Sequence, residues 1–123
     1  MADFIVRGRV LVVEDDSAVA DELADALRHM HFEVVGPFPT ADEALASIGR
    51  VHVDAAILDV RLRNGMSLPV GRRLRDIGVP FLFMTGSVDD LGDEFADADT
   101  LRKPVRLSTL FAALDRILPR QAA

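Results

Sequence analysis

Residues 53–59, Val53-Asp54-Ala55-Ala56-Ile57-Leu58-Asp59, form an apolar run that stops abruptly on a carboxylate. A short continuous apolar run between polar turns reads as a strand buried on both faces, as in a parallel sheet. Asp59 then stands at the strand's carboxyl end, where open α/β sheets place their ligands. Val10-Leu11-Val12-Val13 ends the same way, in Glu14-Asp15-Asp16. If the two strands are neighbours, at least three carboxylates converge on one crevice. At about 4 Å and an effective dielectric near 20, each like-charge pair costs roughly 4 kcal/mol. Such a cluster requires a cation.

The flanking sequence alternates helix and strand signals. Ser17 to Met30 carries Val19, Leu23, Leu27 and Met30 at helical spacing, with Asp16 or Ser17 able to cap its free N–H groups. Phe32 to Val35 reads as a second strand closed by Gly36-Pro37. Thr40 to Glu43 has capping-box spacing and opens a helix with Ala41, Ala44, Leu45 and Ile48 inward, ended by Gly49. After Asp59, Asn64-Gly65 predicts a turn. Ser67 to Ile77 predicts a helix with Leu68, Leu74 and Ile77 inward, with Pro69 tolerated in its first turn. Val79 to Met84 is a fourth buried strand leading to Thr85-Gly86, and Thr100 to Arg102 a minimal fifth leading to Lys103-Pro104. Leu107 to Leu118 closes the chain as a helix with Leu110, Phe111, Leu114 and Ile117 inward. Between the last two strands, Ser87 to Asp99 is acidic, contains Gly92 and is expected to be a short, poorly anchored helix. Five alternations predict an α/β fold with a parallel sheet covered on both faces.

Composition bounds the function. With 123 residues, half of them hydrophobic, the chain is expected to be one domain with an ordered core over about 8–118 and no output domain. The absence of cysteine excludes disulfides and thiolate metal sites. No apolar stretch approaches the roughly 18 residues of a membrane span, residues 1–9 are too short and mixed for a signal peptide, and residues 119–123 read as a frayed tail. A cytoplasmic location and no membrane insertion are therefore expected. A net charge of −6 disfavours direct nucleic-acid binding.

Four of the five strands end in a group suited to phosphoryl chemistry: Glu14-Asp15, Asp59, Thr85 and Lys103. Each alone has an ordinary reading as a cap, turn former or surface residue, and Asp16 is assigned to capping outright. Together, in the pieces LVVEDD (11–16), AAILDV (55–60), FLFMTG (81–86) and LRKP (101–104), they resemble the receiver domain of two-component response regulators over essentially the whole chain. The resemblance implies a doubly wound, flavodoxin-like receiver fold with a five-stranded sheet of order 2-1-3-4-5. It also implies Mg²⁺-dependent transfer of a phosphoryl group from a sensor histidine kinase or histidine phosphotransfer protein. Carried over by position, Asp59 is the phosphoacceptor and Asp15 a direct Mg²⁺ ligand. Glu14 binds through a water, and the backbone carbonyl of Arg61 completes the protein ligands. Lys103 and Thr85 contact the phosphoryl oxygens, and Gly86 leaves room for entry. Such a domain catalyses its own phosphorylation and dephosphorylation without being a conventional turnover enzyme.

Val35-Gly36-Pro37, LDVRLRNGMS (58–67) and PFLFMTGS (80–87) are further similar to stand-alone receivers with a PFxFATG motif, which signal through protein targets. The chain departs from the family at Met84 in place of alanine, Arg61 where asparagine is common and Val105 where phenylalanine usually follows Lys-Pro. Thr100 takes the place of a switch aromatic, so the output is expected to run through residues 87–99 instead. The Arg61 side chain is expected either to overhang the phosphoryl group or to pair with a local acid such as Glu14. Two other enzyme or carrier classes fail on particular residues. A dehalogenase-type phosphatase needs a second aspartate where Arg61 stands, and a nucleotide carrier needs a phosphate loop where Glu14-Asp15-Asp16 would repel one. A pseudo-receiver acting only as a docking module is the remaining alternative, and it has no use for the intact set Glu14, Asp15, Asp59, Thr85 and Lys103.

Overall fold

The computed structural model describes residues 6–119. The tail beyond Pro119 and the first five residues, both read above from sequence, lie outside the described residues. The five main strands are β1 (Gly8–Val13), β2 (Phe32–Phe38), β3 (Ala55–Asp59), β6 (Phe81–Thr85) and β7 (Thr100–Arg102). They form one parallel sheet of order β2-β1-β3-β6-β7, the expected 2-1-3-4-5 arrangement. The helices are α1 (Ser17–His29), α2 (Ala41–Ile48), α3 (Leu68–Asp76) and α4 (Leu107–Ile117).

Strand alternation sends the apolar side chains to two cores. Leu11, Val13, Leu58 and Phe83 face α2 and α3, while Val10, Val12, Ile57 and Leu82 face α1 and α4. All eight are fully buried, which explains why the strands read as continuous apolar runs rather than alternating ones. Asp16 caps α1 by accepting from the N–H groups of Ala18 and Val19. Thr40 caps α2 by accepting from the N–H of Glu43. Val19, Met30 and Ile77, expected inward, are substantially exposed; Ile77 lies just past the last turn of α3, and Val70 is buried in that helix instead.

Two further local readings are corrected and one, the turn after Asp59, is extended. β2 does not close at Gly36-Pro37 but continues to Phe38, because a register shift opposite Val12 absorbs the extra residues. Gly36 has φ +100°, and a Cβ there would meet the Phe38 nitrogen at 2.8 Å and the Val12 carbonyl oxygen at 2.9 Å, so only glycine fits. The Asn64-Gly65 turn is part of a small antiparallel hairpin, β4 (Arg61–Leu62) with β5 (Gly65–Met66), that sequence periodicity could not show over two-residue strands.

The second correction concerns residues 87–99. In place of a helix there are two 3-10 turns, Val88–Leu91 and Asp93–Phe95, hinged at Gly92 with φ +68°. The segment is not short of apolar anchors. Leu91 is 6% exposed, and Phe95 is fully buried, edge-on to Phe83 with ring centroids 5.2 Å apart and to Phe81 at 6.2 Å. The Arg75 guanidinium lies 4.5 Å from the Phe95 ring centroid, and Arg72 holds Glu94 with both carboxylate oxygens engaged. Two apolar residues spaced four apart are too few to signal a helix face, yet both are buried once the sheet supplies the opposing wall.

Candidate functional site

Parallel pairing brings the carboxyl ends of β1, β3, β6 and β7 to one edge of the sheet. Val13 is level with Leu58, and Asp59 with Met84, so Glu14, Asp59 and Thr85 all emerge at the same end. The Lys103 N–H donates to the Thr85 carbonyl at 2.8 Å, which fixes the start of the β7–α4 loop beside β6. All five side chains singled out from sequence meet there.

Asp59 is 5% exposed, Glu14 2% and Thr85 2%. The Lys103 Nζ lies 2.9 Å from Asp59 Oδ1 and 3.8 Å from Glu14 Oε1. Carboxylate oxygens of Glu14, Asp15 and Asp59 all lie within 4.8 Å of one another. Glu14 Oε2 accepts from the Asp16 N–H at 3.2 Å, but the buried Oε1 has no hydrogen-bond donor. Asp15 Oδ2 accepts from the Arg63 N–H at 2.7 Å, so the small hairpin orients one of the three acids. Thr85 Oγ1 donates to the Ser87 carbonyl and accepts from the Ser87 N–H. A Cβ at Gly86 would meet open space.

Of the two arrangements expected for Arg61, the structure has the pairing with a local acid, the acid being Asp90 rather than Glu14. Its guanidinium grips Asp90 with two bonds of 2.8 and 2.7 Å. Together with Asp59, Thr85, Gly86, Ser87 and Lys103, this ion pair lines a cavity of about 360 Å³. Asp90 is a site residue that sequence reading missed. It lies in an acidic stretch with nothing to distinguish it from Asp89, and only the fold brings it opposite Arg61. The hydrogen bonds from Arg61 hold the Asp90 carboxyl below its usual range.

Burial, reinforced by the facing Asp59 carboxylate, raises Glu14 from 4.5 to about 7. For Lys103, burial alone would favour the neutral amine, but the Asp59 hydrogen bond and the surrounding acids hold it above its ordinary value. The raised Glu14 has a definite linkage sign. The folded state binds more protons than the unfolded chain between pH 4.5 and about 7, so this group costs stability as pH rises through that window. The full cost is on the order of 3 kcal/mol. Without added metal, urea midpoints should fall over this window in the wild type. Glu14→Gln should flatten that fall, and equal pH profiles for the two proteins would contradict the assignment.

An all-oxygen cluster with one buried carboxylate oxygen left without a donor fits a hard divalent cation such as Mg²⁺. Among the described residues no helix is long and apolar enough to cross a membrane.

Comparison with known proteins gives a consistent result. The family model described as the response regulator receiver domain matches residues 10–115. The transcriptional regulatory protein PrrA of Mycobacterium leprae is 37% identical over 94% of this chain and 52% of its own length. The DNA-binding response regulator MtrA of Mycolicibacterium paratuberculosis is 33% identical over 94% of this chain and 53% of its own. The chain thus spans about half the length of these curated relatives. Among solved structures, SdrG from Sphingomonas melonis Fr1 is 36% identical with a TM-score of 0.78, covering 92% of this chain and 98% of that one. A receiver domain from Methylobacillus flagellatus is 25% identical with a TM-score of 0.77, covering 89% of this chain and 98% of that one.

Proposed function

This chain belongs to the response regulator receiver domain family, and on that premise we propose that Asp59 accepts a phosphoryl group in a Mg²⁺-dependent reaction. The observation that carries the reading is the Lys103 ammonium 2.9 Å from a buried Asp59 that shares its crevice with Glu14 and Asp15. Asp59 attacks phosphorus with a carboxylate oxygen. A P–O bond forms, the P–N bond to the donor histidine breaks, and its electron pair leaves on the imidazole nitrogen. The attacking carboxylate needs no general base. Asp15 and Asp59 would hold the cation directly, Glu14 through a water and Arg61 through its carbonyl. When bound, Mg²⁺ supplies positive charge to the phosphoryl oxygens. Lys103 neutralises another such oxygen while keeping Asp59 aimed, and Thr85 can turn its hydroxyl from the Ser87 carbonyl to a third.

The donor in this reading is a sensor histidine kinase or histidine phosphotransfer protein. The output is a protein target rather than nucleic acid, consistent with a net charge of −6. PFLFMTGS (80–87) supports assignment to the stand-alone, PFxFATG-like group, acting in the cytoplasm. Incubation with acetyl phosphate, a small acyl-phosphate donor, tests the reading. Intact mass should show one phosphoryl adduct with Mg²⁺ and none with a chelator; no adduct, or equal yields, would overturn it.

A second expectation needs no phosphoryl donor. A ligand that binds only the folded state stabilises it by RT ln(1 + [L]/Kd), roughly 2.7 kcal/mol at a hundredfold excess over Kd. Mg²⁺ should therefore raise the thermal midpoint of the wild type and leave that of Asp15→Ala nearly unchanged. An equal rise in both would place the cation elsewhere.

A further inference from the structure

Two cations line the phosphoryl cavity, and they are differently employed. Lys103 is spent on Asp59, while Arg61 is spent on Asp90 across the cavity wall. Asp90 is 12% exposed although it carries a charge, and the guanidinium is its partner; Arg61 itself is 75% exposed. Asp90 sits in the Val88–Leu91 turn, whose N-terminus has no side-chain cap. Downstream, buried Leu91 fixes the end of the turn. Upstream, Gly86 is open and the Ser87 carbonyl accepts from both Thr85 Oγ1 and the Asp90 N–H. Residues 87–90 are thus a short stretch held to the site by one bidentate ion pair, the shared Ser87 carbonyl and the Ser87 N–H bond to Thr85 Oγ1.

Phosphorylation replaces a singly charged carboxylate with a group carrying roughly two negative charges and three acceptor oxygens. A guanidinium binds phosphoryl oxygens bidentately as well as it binds a carboxylate, so the new group competes with Asp90 for Arg61. Once Arg61 is drawn away, Asp90 loses the bidentate partner that covers it and stands beside added negative charge. Repulsion from the new charge and loss of that tether both favour movement of the turn away from the site. Phe95 and Leu91 restrict that movement to the first half of the segment.

We infer that the Arg61–Asp90 ion pair is a latch that couples occupancy of the phosphoryl cavity to the conformation of residues 87–90, with Asp90 acting as a positioning residue through Arg61. The latch rests on the phosphoacceptor reading of Asp59. It supplies a charge-driven route to the surface where the fifth strand offers only Thr100, whose hydroxyl is engaged by the Ala98 carbonyl.

The test is backbone amide exchange, resolved by residue, with and without beryllofluoride plus Mg²⁺ as a phosphoryl mimic, on wild type, Arg61→Ala and Asp90→Asn. In the wild type, the mimic should speed exchange at residues 88–90 by about tenfold or more, as expected for loss of a local ion pair. Both variants should show that fast exchange before the mimic is added and little change after it. Chemical shifts at Gly86 report binding separately. Gly86 shifts in wild type with unchanged exchange at 88–90 overturn the latch and leave the phosphoacceptor reading standing. A full mimic-dependent change in Arg61→Ala also overturns it, because the coupling then runs through Thr85 and Ser87. No Gly86 shift in any protein removes the phosphoacceptor reading and the latch together.

Discussion

Asp59→Asn should form no phosphoryl adduct with acetyl phosphate and Mg²⁺ under conditions that modify the wild type, and it should remain folded. The amide matches the carboxylate in size but offers no anionic oxygen to attack phosphorus, so the loss is complete rather than partial. Stability is expected to hold or rise. Asp59 is 5% exposed and faces Glu14, whose carboxyl is raised to about 7 partly by that neighbour. Removing one charge relieves repulsion between acids at close range, and Lys103 retains Glu14 as a partner at 3.8 Å. A folded, unmodified variant separates loss of the nucleophile from loss of the fold. An adduct of similar yield on Asp59→Asn would show that a different residue is the acceptor, whatever the geometry around Lys103.

Phe95→Ala should destabilise the domain by about 3–5 kcal/mol, the usual cost of emptying a fully buried aromatic site. The ring closes a three-phenylalanine cluster with Phe81 and Phe83 and carries the Arg75 guanidinium on its face. α3 approaches the same cluster so closely that a Cβ at Gly71 would lie 3.0 Å from the Phe83 ring and 3.3 Å from that of Phe95. Chemical denaturation read at two wavelengths would give the change directly. A loss below about 1 kcal/mol would mean that residues 93–95 are loosely held, and the latch would then no longer be confined to residues 87–90.

The comparison of these two residues shows what a sequence makes legible. Asp59 is readable because its meaning is local. A buried strand announces itself by a run of apolar residues, and the residue that ends the run is placed at the ligand-binding edge by the fold class alone. The same logic locates Glu14, Asp15, Thr85 and Lys103, and parallel pairing then brings all of them together. Phe95 is not readable in this way, because it lies in an acidic, glycine-containing stretch and is buried only by α3 and β6 folding over it. Asp90 is harder still, since its partner Arg61 is distant in sequence and joins it through a two-residue strand that has no periodicity to detect. The same limit hid the bulge at Gly36, which depends on the register of a neighbouring strand.

Loss of an adduct on mutation shows that a residue is needed; trapping shows where the phosphoryl group resides. Borohydride reduces an acyl phosphate to the alcohol, so a phosphorylated aspartate becomes homoserine at its own position in the chain. Wild-type protein incubated with acetyl phosphate and Mg²⁺, reduced, digested and sequenced by mass should carry homoserine at position 59 and nowhere else, with none when Mg²⁺ is chelated. Homoserine at Asp15 or Asp16 in place of Asp59, or equal yield at position 59 without Mg²⁺, would contradict the account.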